Sequence, residues 1–112
     1  MKMIELKRGL YIRQGDRYEV LLKNRAEVVY GKIIARREVR GDYRHSEYQL
    51  TGIIKDTEKG MLVFSPATVR STYAVDFGHV YEITKEHEEI KIPIKNIEQI
   101  IGMEDRKCYE LN

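Results

Sequence analysis

Residues 36–48 hold the densest run of side chains able to do chemistry. Arg36, Arg37, Arg40 and Arg44 supply four guanidinium groups, His45 an imidazole, and Tyr43 and Tyr48 two aromatic rings. A guanidinium pairs bidentately with phosphate, and a tyrosine ring offers a stacking surface to a base. That combination points to nucleic acid or another anionic ligand. Glu38, Asp42 and Glu47 are interleaved with the arginines, so a solvated, locally neutralised loop is the competing reading. Alternation also matters: Arg36 and Arg40 share a strand face only if the strand continues, with Arg37 on the other side.

The remaining candidates are sparser. His45, His79 and His87 are the only histidines, and no His-x-His or Glu-x-x-His spacing offers a metal site. Asp76 and His79 stand close enough in sequence to meet across Gly78. Ser65, Ser71 and Cys108 lie in no nucleophile motif, and no glycine-rich loop is present to cradle a phosphate. Glu88-Glu89 falls in a charged stretch where solvation is the ordinary explanation. Arg40-Gly41-Asp42 reads as a turn. These residues predict a non-catalytic protein with no metal or cofactor. Tyr43, Tyr48, Tyr73 and Tyr81 leave a further reading open, a small-molecule pocket lined by tyrosines.

The elements that position these groups alternate with a period of two. Tyr18, Val20 and Leu22 against Arg17, Glu19 and Lys23 read as a strand over 16–23, entered through Gly15-Asp16. Residues 26–39 read as one long strand, with Gly31 marking a bend or bulge in its middle. A charged loop over 40–46 leads to a third strand through Tyr48, Leu50, Gly52 and Ile54. Residues 56–60 read as a hairpin loop, and Met61–Phe64 as a short apolar strand. Ser65-Pro66 is the one plausible helix start, for one or two turns. Residues 73–77 and 80–84 flank Gly78-His79 as a hairpin or one bent strand, and 85–89 as a charged turn.

Ile90, Ile92 and Ile94 then share a strand face, after which the spacing shifts to Ile97, Ile100 and Ile101. A strand, a turn of 3₁₀ helix and a second strand ending at Gly102 explain that shift. Pro93 lacks an amide proton and suits an edge. Residues 103–112 read as a polar, loosely held tail.

Composition sets the outer bounds. A chain of 112 residues with 42% hydrophobic residues matches one domain with one core. Eight tyrosines and no tryptophan suit half-buried strand faces. The single cysteine, Cys108, cannot form an intrachain disulfide. No apolar run approaches the ~18–20 residues that cross a bilayer. Residues 1–8 are basic without the apolar core of a signal peptide, so a cytoplasmic location away from membranes is expected. Residues 1–48 carry 12 Lys and Arg against 7 Asp and Glu, whereas residues 49–112 carry 8 against 11. This asymmetry suits an anionic partner or two copies meeting through opposite charges, unless folding mixes the halves over one surface.

The run Tyr18–Ile33, with its strand, Asn24-containing turn, strand and glycine, resembles the opening hairpin of Sm-like proteins. With the terminal Ile-x-Ile-Pro-x-x-x-Ile-x-x-Ile pattern over 90–100, it resembles small SH3-like and Sm-like β-barrels. The Gly15-Asp16 entry is similar to a KOW-type module. The Asp and Asn with which Sm-like proteins bind RNA have no counterpart in Arg36-Arg37-Glu38-Val39-Arg40, and Asn24-Arg25-Ala26 replaces the KOW glycines. The ending also resembles short YolD-like proteins of bacilli and phages.

The expected fold is mainly β: an antiparallel SH3-like or Sm-like barrel of 5–7 strands over 1–102, with at most one short helix and a polar tail over 103–112. The leading functional expectation is a binding module for RNA, DNA or another anion through 36–48. The alternative is a homo-oligomeric or protein-binding assembly factor, encoded by a phage or mobile element. Open strand edges and the isoleucine-rich 90–101 motivate it.

Overall fold

The computed structural model describes residues 2–23, 27–30, 33–36, 46–74 and 80–111. Among them the chain is mainly β, with one short 3₁₀ turn and antiparallel pairing throughout. The strands are β1 (Met3–Lys7), β2 (Leu10–Arg13), β3 (Arg17–Leu22), β4 (Glu27–Tyr30), β5 (Ile33–Arg36), β6 (Ser46–Glu58), β7 (Met61–Ala74), β8 (Val80–His87), β9 (Ile90–Pro93), β10 (Ile97–Gly102) and β11 (Cys108–Glu110). The main sheet runs β11-β10-β3-β6-β7-β8, and β9 also pairs with β7. The described strands form an open path with β11 and β8 at its two ends, rather than a closed barrel.

Strand β7 pairs with β9 over Met61–Phe64 and with β8 over Ala67–Ala74, so two successive strands share one of its edges. β1–β2 and β4–β5 are separate two-stranded sheets. The β4–β5 hairpin approaches β9 on one side and β6 on the other.

The core follows from the alternation. Tyr18, Val20 and Leu22 of β3 are buried, and Glu19 and Leu21 between them are half exposed. Register places Val20 opposite Leu50 of β6, and Leu50 opposite Val69 of β7, all three buried. Ile4, Leu6 and Ile12 of the β1–β2 hairpin belong to the same cluster, as do Ile90, Ile92, Ile97 and Ile100. No polar or charged side chain is buried among the described residues, apart from the phenol of Tyr18. At Gly52 an added Cβ would stand 2.9 Å from the Phe64 Cβ and 3.0 Å from the Pro66 carbonyl oxygen. Only a glycine admits that approach of β7 to β6.

Several expectations hold. Residues 90–102 fold as strand, 3₁₀ turn (Ile94–Asn96) and strand. β9, which holds Pro93, pairs only with β7 among the described strands. β7 and β8 form the hairpin alternative, with Ala74 opposite Val80.

Others need correction. The single bent strand over 26–39 is two strands: β4 and β5 pair antiparallel with Tyr30 opposite Ile33. Gly31, expected to mark the bend, lies outside the described residues. The helix start at Ser65-Pro66 lies inside β7, where the Ser65–Pro66 bond is cis. Pro66 sits at the register shift between Gly52 and Ile54, and a bulge is where a strand tolerates proline. The 56–60 loop shrinks to Lys59-Gly60, both with positive φ (50° and 77°), because β6 continues to Glu58. The 85–89 turn is largely strand, β8 running to His87. In the polar tail, β11 pairs with β10 and Tyr109 packs against the core. The β1–β2 hairpin has no counterpart in the sequence expectations.

Candidate functional site

β6 and β7 are the longest of the described strands. At ~3.3 Å per residue, the 13 residues of β6 span about 43 Å, close to the 48 Å long axis of the molecule. Their turn end, at Lys59-Gly60, is backed by β9. Their other end, with β8, forms a three-stranded arm: Ser46–Gln49, Arg70–Ala74 and Val80–Thr84.

Register orders the arm into rows. Tyr48, Ser71 and Ile83 form one row, and Ser46, Tyr73 and Tyr81 the next. Side-chain positions alternate along strands and match across antiparallel pairs. Both rows are alternate register positions beyond the paired Leu50 and Val69. Gln49, Arg70 and Thr84 occupy the opposite face, where Arg70 and Thr84 are exposed. Tyr73 lies directly opposite Tyr81, and Tyr48 is the diagonal neighbour of Tyr73.

Of the expected site residues, Arg36 ends β5 opposite Glu27, and Tyr48 is the third residue of β6. Arg37, Arg40, Tyr43, Arg44 and His45 lie outside the described residues, as do Asp76 and His79. Residues 37–45 join β5 to β6, and residues 75–79 join β7 to β8. Because Ser46, Tyr73 and Tyr81 share a row, both connections attach at the same end of the arm. The tyrosine-pocket reading groups Tyr73 with Tyr81, but their direct opposition is set by the β7–β8 register, which sequence reasoning does not supply.

Among the described residues, depressions lie on two parts of the body. A groove of about 320 Å³ on the outer face is lined by Arg17, Pro66, Ala67, Thr68, Glu86, His87 and Glu88. The Ser65 hydroxyl donates to the Glu88 carbonyl at 2.7 Å, which engages it as a structural donor. Glu89 reaches Lys55 at 3.6 Å.

A smaller one, about 100 Å³, is lined by Arg13, Asp16, Tyr18, Gly102, Glu104 and Asp105. The Arg13 backbone N–H donates to the Tyr18 hydroxyl oxygen at 3.0 Å. Burial pushes the Tyr18 hydroxyl above the ordinary phenol value. The Arg13 N–H opposes that shift, and Asp16 and Asp105 reinforce it. Tyr18 is thus a neutral phenol at physiological pH. Asp105 is occupied in its own turn, accepting from the Lys107 N–H at 2.9 Å and the Tyr109 hydroxyl at 3.4 Å. Among the described residues no three His, Cys, Asp or Glu side chains are grouped to hold a metal ion. No helix there is long and apolar enough to cross a membrane.

No family model, curated protein or solved structure matches the chain.

Proposed function

We propose that this chain is a binding module that holds single-stranded nucleic acid or another polyanion at the end of the β6–β7–β8 arm. The observation that carries the reading is the common row of Ser46, Tyr73 and Tyr81. It brings the strand ends that bear the 37–45 and 75–79 connections together. The cationic segment containing Arg37, Arg40, Arg44 and His45 therefore attaches beside strands that carry Tyr48, Tyr73 and Tyr81. Guanidinium groups beside tyrosines suit a phosphate backbone with stacked bases. Sm-like and SH3-like barrels, which the sequence resembles, are architectures of the same strand-rich kind. That likeness supports the reading at the level of fold.

Fluorescence anisotropy with labelled single-stranded RNA and DNA at low salt tests it. Affinity should fall with salt, with a log–log slope of about −0.7 per phosphate contact. Changing Arg36, Arg37, Arg40 and Arg44 together to Ala should flatten that slope and leave the thermal melt in place. No anisotropy change at low salt, or an unchanged slope in the variant, would sink the proposal.

A further inference from the structure

The edges of the main sheet differ in how they are protected. β11 is three residues long, and β9 ends in Pro93. Short strands and prolines are ordinary protections of an edge. β8 has neither. It is eight residues long, contains no proline, and runs in unbroken register with β7 from Ala67↔His87 to Ala74↔Val80. No described strand pairs with its outer edge. A regular eight-residue edge is a template for another strand.

We infer that the occupant of this edge is β8 of a second copy of this chain, paired antiparallel about a two-fold axis perpendicular to the sheet. The sequence of β8 selects both the partner and the register. Across such an axis, opposed residues must share a face, so each candidate register is centred on one residue facing its own copy. Centring on Glu82 sets Glu82 against itself. Centring on Thr84 sets Glu82 against Glu86 of the partner subunit. Centring on Ile83 opposes Ile83 to itself, Glu82 to the partner subunit's Thr84, Tyr81 to the partner subunit's Lys85, and Val80 to the partner subunit's Glu86. Centring on Lys85, which engages as much of the strand as centring on Glu82, sets Lys85 against itself. Of these four registers, only the one centred on Ile83 opposes no like charges, and directly opposed like charges are destabilising.

The interface is isologous, each unlike pair occurring twice. It joins the two main sheets edge to edge. It also extends the row Ser46, Tyr73, Tyr81 with the partner subunit's Lys85. That last consequence rests on the anion-binding reading. The dimer itself does not, and it is measured without ligand.

Thr84 is the diagnostic position. It is exposed, lies on the outer face, and meets Glu82 of the partner subunit twice per dimer. Thr84→Glu creates two Glu–Glu pairs and Thr84→Lys two Lys–Glu pairs, while both replace a β-branched residue with a weaker strand former. Light scattering over a concentration series should show the wild-type chain moving from 13.2 kDa toward twice that mass at high micromolar concentration. Thr84→Glu should raise the dissociation constant about 2- to 30-fold, and Thr84→Lys should lower it by a similar factor. The gain in Thr84→Lys should shrink at high salt. Circular dichroism melts report whether each variant folds. Should Thr84→Glu fail to fold, the Thr84→Lys comparison and its salt dependence decide alone. A wild-type chain that stays at 13.2 kDa, or variants that shift the constant in the same direction or not at all, overturn the inference.

Discussion

The two halves of β6 and β7 lie on the same pair of strands and differ in the residues that they carry. In the body half, the inward face carries Leu50, Gly52 and Ile54 against Leu62, Phe64, Ala67 and Val69, each buried. In the arm half, the alternate register positions hold Ser46 and Tyr48, paired with Tyr73 and Ser71, which pair in turn with Tyr81 and Ile83 on β8. The change from aliphatic to hydroxyl-bearing residues occurs within one strand and without a break in pairing. Backbone pairing therefore carries the sheet on from the buried Leu50 and Val69 to Ser46 and Ala74.

The largest expected effect tests this division directly. Phe64→Ala should destabilise the protein by about 3–5 kcal/mol, through lost burial and the cavity left behind. Tyr73→Ala in the arm should cost less than about 1 kcal/mol, the scale of one cross-strand pair. Urea unfolding of the two variants provides the comparison. Equal losses would mean that the arm is part of the core and that the division is wrong.

A second variant sharpens the picture of the body. Tyr18 is buried, and its hydroxyl accepts the Arg13 N–H. In Tyr18→Phe that donor loses its acceptor, at a cost of about 1–2 kcal/mol at neutral pH. The alkaline limb should change the other way. Folding raises the Tyr18 pKa, so its contribution is intact below the unfolded phenol value of about 10 and is lost as pH rises through the folded value. Tyr18→Phe should lose stability less steeply there, as read from thermal melts across the alkaline range. An alkaline limb identical to wild type would remove Tyr18 from that account.

Legibility in the sequence followed how local the signal was. The Ile90–Gly102 segment was readable because its change of period is written within a dozen residues. The strand read through 26–39 is replaced by the β4–β5 pair, with Gly31 itself outside the described residues, and Ser65-Pro66 marks an irregularity of β7 rather than a helix start. A proline serves a strand irregularity as well as a helix start. The β1–β2 hairpin has no sequence expectation, although Ile4, Leu6 and Ile12 fall on alternating positions, because residues 1–8 are read only for charge and for a targeting segment. β11 escaped because pairing with β10 holds it, and its composition gives no sign of that. At the candidate site, Arg36 and Tyr48 could be named from residue type alone. The facing of Tyr73 and Tyr81 required the β7–β8 register, which strands settle jointly.

The smallest effect belongs to the turn end of the same hairpin, opposite the arm. There the sheet is pinned by exposed ion pairs, Lys2 Nζ to Asp56 Oδ2 and Lys91 Nζ to Glu58 Oε2, both at 3.0 Å. The Asp56 carboxyl is held below its ordinary range, first by the Thr57 backbone N–H and then by Lys2. Its contribution is therefore present above the unfolded carboxylate value of about 3.9 and is lost as pH falls through the lower folded value. Asp56→Asn should flatten the acid limb of stability slightly and leave neutral stability nearly unchanged, because exposed pairs contribute little. Melts from neutral pH down to about 2 measure that limb. The same substitution should leave anion binding untouched, since Asp56 stands at the end of β6 farthest from Ser46. A binding defect in Asp56→Asn would place the site at the turn end and reverse the assignment of the two ends.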